Sequence, residues 1–130
     1  GFVIGKKEEK LGIRGSDTHS LMFTDVKVPK ENRIGEDGFG FNFAMAVLNG
    51  GRIGIASQAL GIASGAYELA LKYAKERKAF GTEIINHQAI AFKLADMHVN
   101  IMAARMLFYK SAVEKDEGFD ISESGAMVKL

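Results

Sequence analysis

The sequence predicts an α+β fragment that is mostly α: a short β and turn segment followed by long antiparallel helices of a bundle. Three observations predict it. Residues 1–36 mix short apolar runs with turn formers. Residues 38–67 hold a single charge, Arg52, in a chain where 25% of residues are charged. From Ile90 onward, apolar residues recur at alternating steps of four and three.

The β part comes first. Phe2 to Ile4 is a short apolar piece, and KKEEK (6–10) reads as a solvated turn. LGIRGSDTHS (11–20) is rich in turn formers. LMFTDVKVP (21–29) is the best strand, with Val26 and Val28 alternating against Lys27 and Pro29 ending it. ENRIGEDG (31–38) is a loop, so residues 1–36 read as one region and 37–130 as the next.

Asp37 is the expected N-cap of a first long helix over about residues 38–78. The spacings Gly50/Gly54 and Gly61/Gly65 leave little side chain on one face, which allows a backbone or a ligand to approach. KERK (75–78) places cations where a helix dipole favours them, and Gly81 reads as the stop. A second helix runs from near Asn86 to Glu117 and ends at Gly118. Its apolar positions Ile90, Leu94, Met97, Ile101, Ala104 and Phe108 form a narrow seam. Ser122 caps a third helix.

Composition excludes several classes of function. Seventeen basic and sixteen acidic residues are interspersed for a net charge of +1, so no basic patch points to nucleic acid. Cysteine is absent, which removes disulfides, thiolate metal sites and a thiol nucleophile. The longest charge-free run, Ile53–Tyr67, is shorter than the ~20 apolar residues of a membrane span. The chain opens on GFVIG without Met and closes on SGAMVKL; both ends read as cuts through a larger protein.

Few residues suggest chemistry. His87 and His98 are eleven residues apart, ~16 Å along a helix, too far for one metal. Ser16, Asp17 and His19 share one turn, which is not how a catalytic triad assembles. GFGFNF (38–43) lacks the third Gly of a dinucleotide fingerprint and reads as a helix-start loop. No pair of carboxylates stands out as general acid and base. Arg77 and Lys78 either match a helix dipole or bind phosphate beside a stacking Phe80. Arg52 either pairs with a distant acid or binds a ligand anion, because a lone cation among apolar residues is expensive to desolvate.

At these residues the chain resembles the acyl-CoA dehydrogenases, nearest to the short-chain or butyryl-CoA type. The matching pieces are LGIRGSDTHS (11–20), FTDVKVPKENRIGEDGFGF (23–41), GRIGIASQALGIA (51–63), YAKERKAFG (73–81) and HQAIAFKLADM (87–97). The resemblance implies a three-part flavoenzyme. Residues 1–36 would end its middle β domain, and 37–130 would begin its C-terminal four-helix bundle. It implies FAD as cofactor, acyl-CoA as substrate, trans-2-enoyl-CoA as product and an electron-transferring flavoprotein as electron acceptor. It also implies a homotetramer (a dimer of dimers) in bacterial cytoplasm or mitochondrial matrix, the former favoured.

Residue by residue, Asn49, Gly50, Gly51 and Arg52 match the family's acyl-CoA contact segment, where relatives often carry Asp in place of Asn49. Arg77, Ala79 and Phe80 match an FAD contact typically supplied by the neighbouring subunit, and relatives carry a hydroxyl at the position of Ala79. Gln88 matches another FAD contact, with His87 beside it. The Glu that removes the α-proton lies beyond Leu130 in short- and medium-chain types. In isovaleryl- and long-chain types it sits where this chain has Gly51. The resemblance therefore assigns no catalytic residue here, and the 130 residues alone are expected to be inactive. Two other readings stay open: an acyl-CoA oxidase-like flavoprotein, and a helical interaction module without a ligand.

Overall fold

FVIGKK and HSLMF form a two-stranded antiparallel sheet in the computed structural model, which describes all residues 1–130. In it β1 (Phe2–Lys7) lies against β2 (His19–Phe23), with Phe2 opposite Phe23 and Ile4 opposite Leu21. The Phe2 and Phe23 rings meet at 5.2 Å, a cross-strand pair of the kind that stabilises such ladders. The register shifts between Ile4 and Lys7, and His19 Nδ1 sits 3.0 Å from the Gly5 carbonyl at that irregularity.

The strand expected over 21–29 is shorter and starts earlier. Asp25 adopts φ 51, a left-handed conformation that a β ladder does not accommodate. Val26 and Val28 thus lie outside the sheet despite their alternation. In turn, Lys6 and Lys7 belong to β1 rather than to a turn, and Lys7 pairs with Asp17. That ion pair makes Asp17 part of the scaffold of its loop.

Three helices follow: α1 (Gly40–Glu76), α2 (Gln88–Asp116) and α3 (Ser122–Lys129). The chain divides into two compact units, Gly1–Gly40 and Phe41–Leu130. Asp37 does not cap α1: its carboxylate accepts from Arg33 Nη1 at 2.8 Å, and Gly38 at φ 82 turns the chain into the helix. With no proline in its 37 residues, α1 runs for about 55 Å.

Helices α1 and α2 are antiparallel, as their side-chain partners show. A Cβ on Gly50 would lie 3.3 Å from Lys115 Nζ, Arg105 Nη2 donates to Ser64 Oγ at 3.2 Å, and Tyr67 stacks on His98 at 5.4 Å. Positions rise along α1 as they fall along α2.

The seam expected on α2 holds in part. Leu94 is buried and Ile90, Ile101 and Phe108 are half-buried, but Met97 is 42% exposed and Ala104 is exposed. Arg105 turns inward instead, and Ser111 is covered by α3. The cause is the mismatch between a 3.5-residue seam and a 3.6-residue helix, a drift of ~20° per heptad. No other part of the chain approaches Gly54, Gly61 or Gly65, where an added Cβ would meet nothing within 4 Å, so those positions stay open.

Between α1 and α2 the chain makes a feature the sequence reading missed. α1 ends at Glu76, and Lys78–Ala79 (β3) pairs with Thr82–Glu83 (β4) as a two-residue hairpin. Phe80 and Gly81, both at positive φ (54 and 84), form its turn. That is the type I′ pattern, whose twist suits tight hairpins. Gly81 therefore serves a hairpin turn and is not a helix stop. A 3-10 turn over Ile84–Asn86 then leads into α2, which starts two residues later than expected.

At the far end, Ser122 is the first residue of α3 and not its cap; Ile121 holds that position without a side-chain cap bond. Gly118, at φ 78, reverses the chain after α2. α3 packs on α2 through Ser111, only 1% exposed, whose hydroxyl donates to the Ser124 carbonyl at 3.1 Å. Gly125 lies where a Cβ would come within 3.4 Å of the Asn49 carbonyl. No helix is long and apolar enough to cross a membrane.

Candidate functional site

The residues singled out by the sequence gather into two clusters, one on the N-terminal half of α1 and one just beyond its C-terminal end. From Arg52 to Glu76 the helix rises about 36 Å, so one cluster cannot reach the other by side-chain contact.

The first cluster is built on α1 where α3 crosses it. Asn49 and Arg52 lie one turn apart on the same face, and Arg52 Nη1 donates to Asn49 Oδ1 at 3.0 Å. Arg52 is half-buried and forms no salt bridge. Its guanidinium carries five N–H donors, and the chain supplies an acceptor for one of them. Gly50 lies beneath the Lys115 ammonium, while the space beside Gly51 is open. The cluster therefore presents two cations and an unobstructed stretch of backbone, with no carboxylate against Arg52.

Two participants here escaped sequence reasoning. Asn49 Nδ2 donates to Ser122 Oγ at 3.3 Å across 73 residues of chain, and Ser122 Oγ donates to Asp120 Oδ1 at 2.6 Å. The Ser122 backbone N–H donates to the same oxygen at 2.9 Å. These two bonds, the hydroxyl's first, hold the Asp120 carboxyl below the usual carboxylate range. The D-x-S pattern at 120–122 signals an Asx turn locally. Nothing in that pattern names Asn49 as its distant partner.

The second cluster is the β3–β4 hairpin and the start of α2. His87 Nε2 lies 3.1 Å from the Ala79 carbonyl, and the Phe80 ring stands edge-on to the His87 ring at 6.1 Å. A carbonyl only accepts, so Nε2 donates to it. The Ile84 N–H donates to the Arg77 carbonyl at 2.8 Å, closing the base of the hairpin. The fold thus brings Arg77, Ala79, Phe80, His87 and Gln88 into one patch. Arg77 and Gln88 are exposed, Arg77 has no ion pair, and Phe80 is 97% exposed at the hairpin tip.

Glu83 supports this patch from behind. Lys78 reaches it at 3.4 Å, and Asn86 Nδ2 donates to Thr82 Oγ1 at 2.8 Å and to Glu83 Oε2 at 3.2 Å. The backbone N–H of Glu83, then the Lys78 ammonium, lower its carboxyl below the ordinary range. Both clusters offer a cation and an amide, which suit recognition of anionic groups, and the second adds the Phe80 ring for a planar one. Neither holds a carboxylate poised to take a proton, and no group of His, Asp or Glu is placed to hold a metal.

Comparison with known proteins gives this arrangement a context. Residues 38–130 match the family described as acyl-CoA dehydrogenase, C-terminal domain. The short-chain specific acyl-CoA dehydrogenase of Megasphaera elsdenii is 53% identical over 129 residues, covering 99% of this chain and 34% of that protein. The structure of butyryl-CoA dehydrogenase from the same organism superposes with a TM-score of 0.89 at 52% identity, over 98% of this chain and 33% of that one. A chain in the structure of the electron transferring flavoprotein of Acidaminococcus fermentans, a study of flavin-based electron bifurcation, superposes with a TM-score of 0.88 at 52% identity. It is matched over 98% of this chain and 34% of its own length. The chain thus spans about a third of the length of the relatives it matches.

Proposed function

The chain belongs to the acyl-CoA dehydrogenase family, and we propose that it serves an FAD-dependent oxidation of short-chain acyl-CoA to trans-2-enoyl-CoA. In this reading residues 1–36 end a middle β domain and 37–130 begin a C-terminal helical bundle.

The observation that carries the reading is Arg52. A half-buried guanidinium whose only hydrogen bond is to a neutral amide retains its charge and most of its donors for a ligand. Coenzyme A offers phosphate groups of the matching sign. Open space beside Gly51 lets an extended ligand lie along the helix backbone, and Asn49 and Gly50 complete the segment. Arg52 is a binding residue, since a guanidinium is no general base.

The hairpin patch suits FAD by the chemistry of its donors. The exposed Arg77 guanidinium would meet its pyrophosphate, the Phe80 ring would stack on a planar ring, and the Gln88 amide would hydrogen-bond a ring edge. Ala79 and His87 hold the hairpin to α2, which keeps Phe80 presented. Bound there, FAD supplies the two-electron acceptor that oxidation of a CH–CH bond requires. We assign the carboxylate that removes the α-proton to a Glu outside residues 1–130. Glu83 and Asp120 are committed to scaffold hydrogen bonds that keep them poor proton acceptors.

The 36 Å between the clusters favours a site completed by two copies of the protein, one supplying the Arg52 end and its neighbour the hairpin. A homotetramer built as a dimer of dimers meets that requirement. The structural likeness to a chain studied with an electron transferring flavoprotein supports such a protein as the electron acceptor.

The test uses the intact protein. Anaerobic butyryl-CoA should bleach the flavin and yield the 2-enoyl thioester, and Arg52→Ala should weaken butyryl-CoA binding by about tenfold or more. Reoxidation should be faster with an electron-transferring flavoprotein than with oxygen; the reverse order would identify an oxidase. Flavin that stays oxidised under saturating short-chain acyl-CoA would sink the proposal.

A further inference from the structure

We infer that Asp120, acting through Ser122 and Asn49, positions the Arg52 guanidinium for the acyl-CoA anion; the inference rests on the reading of Arg52 given above. Four residues from two stretches of the chain, 49–52 and 120–122, form one continuous line of hydrogen bonds. Arg52 Nη1 donates to Asn49 Oδ1 at 3.0 Å, Asn49 Nδ2 donates to Ser122 Oγ at 3.3 Å, and Ser122 Oγ donates to Asp120 Oδ1 at 2.6 Å.

The direction of this line has no alternative. A guanidinium only donates and a carboxylate only accepts, so both ends are set. Between them stand one amide and one hydroxyl, each able to accept on one side and donate on the other. Turning the Asn49 amide over would set two donors face to face at Arg52. The Asp120 charge therefore orients the Ser122 hydroxyl, that hydroxyl orients the amide, and the amide oxygen captures Nη1. Polarised in series, the bonds reinforce one another. The second donation to Asp120, from the Ser122 backbone N–H at 2.9 Å, anchors the line to the first turn of α3.

The arrangement solves a specific problem. A carboxylate directly on Arg52 would orient it but would also neutralise it and compete with the ligand. Here the group touching Arg52 is neutral, and the balancing charge stands two residues further along. Nη2 and Nε make no hydrogen bond within the chain and remain for the ligand. Asp120 and Ser122 are positioning residues: neither needs to touch substrate.

The test is a set of variants of the intact protein with bound FAD, read by butyryl-CoA affinity and by the flavin reduction rate at saturation. Ser122→Ala should weaken affinity about three- to tenfold, the effect of one hydrogen bond, with the saturated rate unchanged. Ser122→Thr, which retains the hydroxyl, should restore affinity. Asp120→Asn, which keeps the shape and removes the charge, should weaken affinity in the same direction. Combining Ser122→Ala with Arg52→Ala should add nothing to the loss from Arg52→Ala alone. Losses that multiply in the double variant, or a Ser122→Ala protein that binds as tightly as the parent while Arg52→Ala binds weakly, would overturn the positioning role and leave the assignment of Arg52 standing. An Arg52→Ala protein with undiminished affinity would overturn both.

Discussion

Replacing Phe80 with asparagine should stabilise the flavin-free protein and weaken its hold on FAD. Phe80 sits at φ 54 in the hairpin turn, and an L-residue in the left-handed region costs roughly 1–2 kcal/mol. Asparagine recovers much of that cost, because its short side chain tolerates this conformation. Little opposes the gain. The ring is 97% exposed, so its burial contributes only about 0.2 kcal/mol for a side chain of ~200 Å² at ~25 cal/mol per Å². Its edge contact with His87, at 6.1 Å and open to water, is worth about 0.5 kcal/mol. The net expectation is about 0.5–1 kcal/mol of added stability, read as a higher urea midpoint of the intact, flavin-depleted protein. Loss of ring stacking, worth ~1–3 kcal/mol, should raise the FAD dissociation constant at least about fivefold, read by fluorescence titration. On the proposed flavin reading, a ligand would account for a residue held in a strained conformation with its ring in water. If Phe80→Asn lowered the stability of the flavin-free protein, or left FAD affinity unchanged, that reasoning would fail.

Two further outcomes follow from buried and charged groups. Ser111 and Ser124 touch, yet their truncations should have opposite signs. Ser111→Ala removes the bond to the Ser124 carbonyl and should cost about 1 kcal/mol, whereas Ser124→Ala removes a buried hydroxyl that has no partner and should be neutral or stabilising; chemical denaturation of both variants checks this. Glu83 has its pKa lowered in the fold, first by its own backbone N–H and then by Lys78, so its contribution to stability is complete above the unfolded-chain value of 4.5 and is lost as pH falls through the folded value. Lys78→Met should raise the Glu83 pKa toward 4.5, visible in its carboxyl NMR titration, and should flatten the acid limb of stability in that range.

Fold class and helix order were legible because long-range burial leaves a periodic trace. One charge in residues 38–67 marks α1, and Gly118 marks the end of α2. What the sequence hid were features decided by single backbone torsions or distant partners. Val26 and Val28 alternate as a strand should, yet one left-handed residue, Asp25, takes them out of the ladder. Asp37 has the chemistry of a cap, but Arg33 lies four residues away and claims its carboxylate. KAFGTE carries no Asn-Gly or Gly-Gly signal, so its hairpin depends on a phenylalanine in a conformation that propensity disfavours. Met97 and Ala104 fit a heptad seam and miss the observed one, because one and two heptads of drift past Ile90 rotate them off the interface.

The candidate site divides the same way. Arg52 announced itself as an isolated cation, and the fold sharpened that observation by showing that no acid approaches it. Asn49 stood out in the sequence only as an amide where relatives often carry Asp; that amide does what a carboxylate cannot, accepting from Arg52 and donating to Ser122 at once. A carboxylate at that position would compel Ser122 to turn its proton away from Asp120 and would place a negative charge directly on the guanidinium. Neutral Asn49 and remote Asp120 are therefore best understood together. The amide makes a distant charge useful for orientation while leaving the cation free to meet an anion, and neither residue's role can be read without the other.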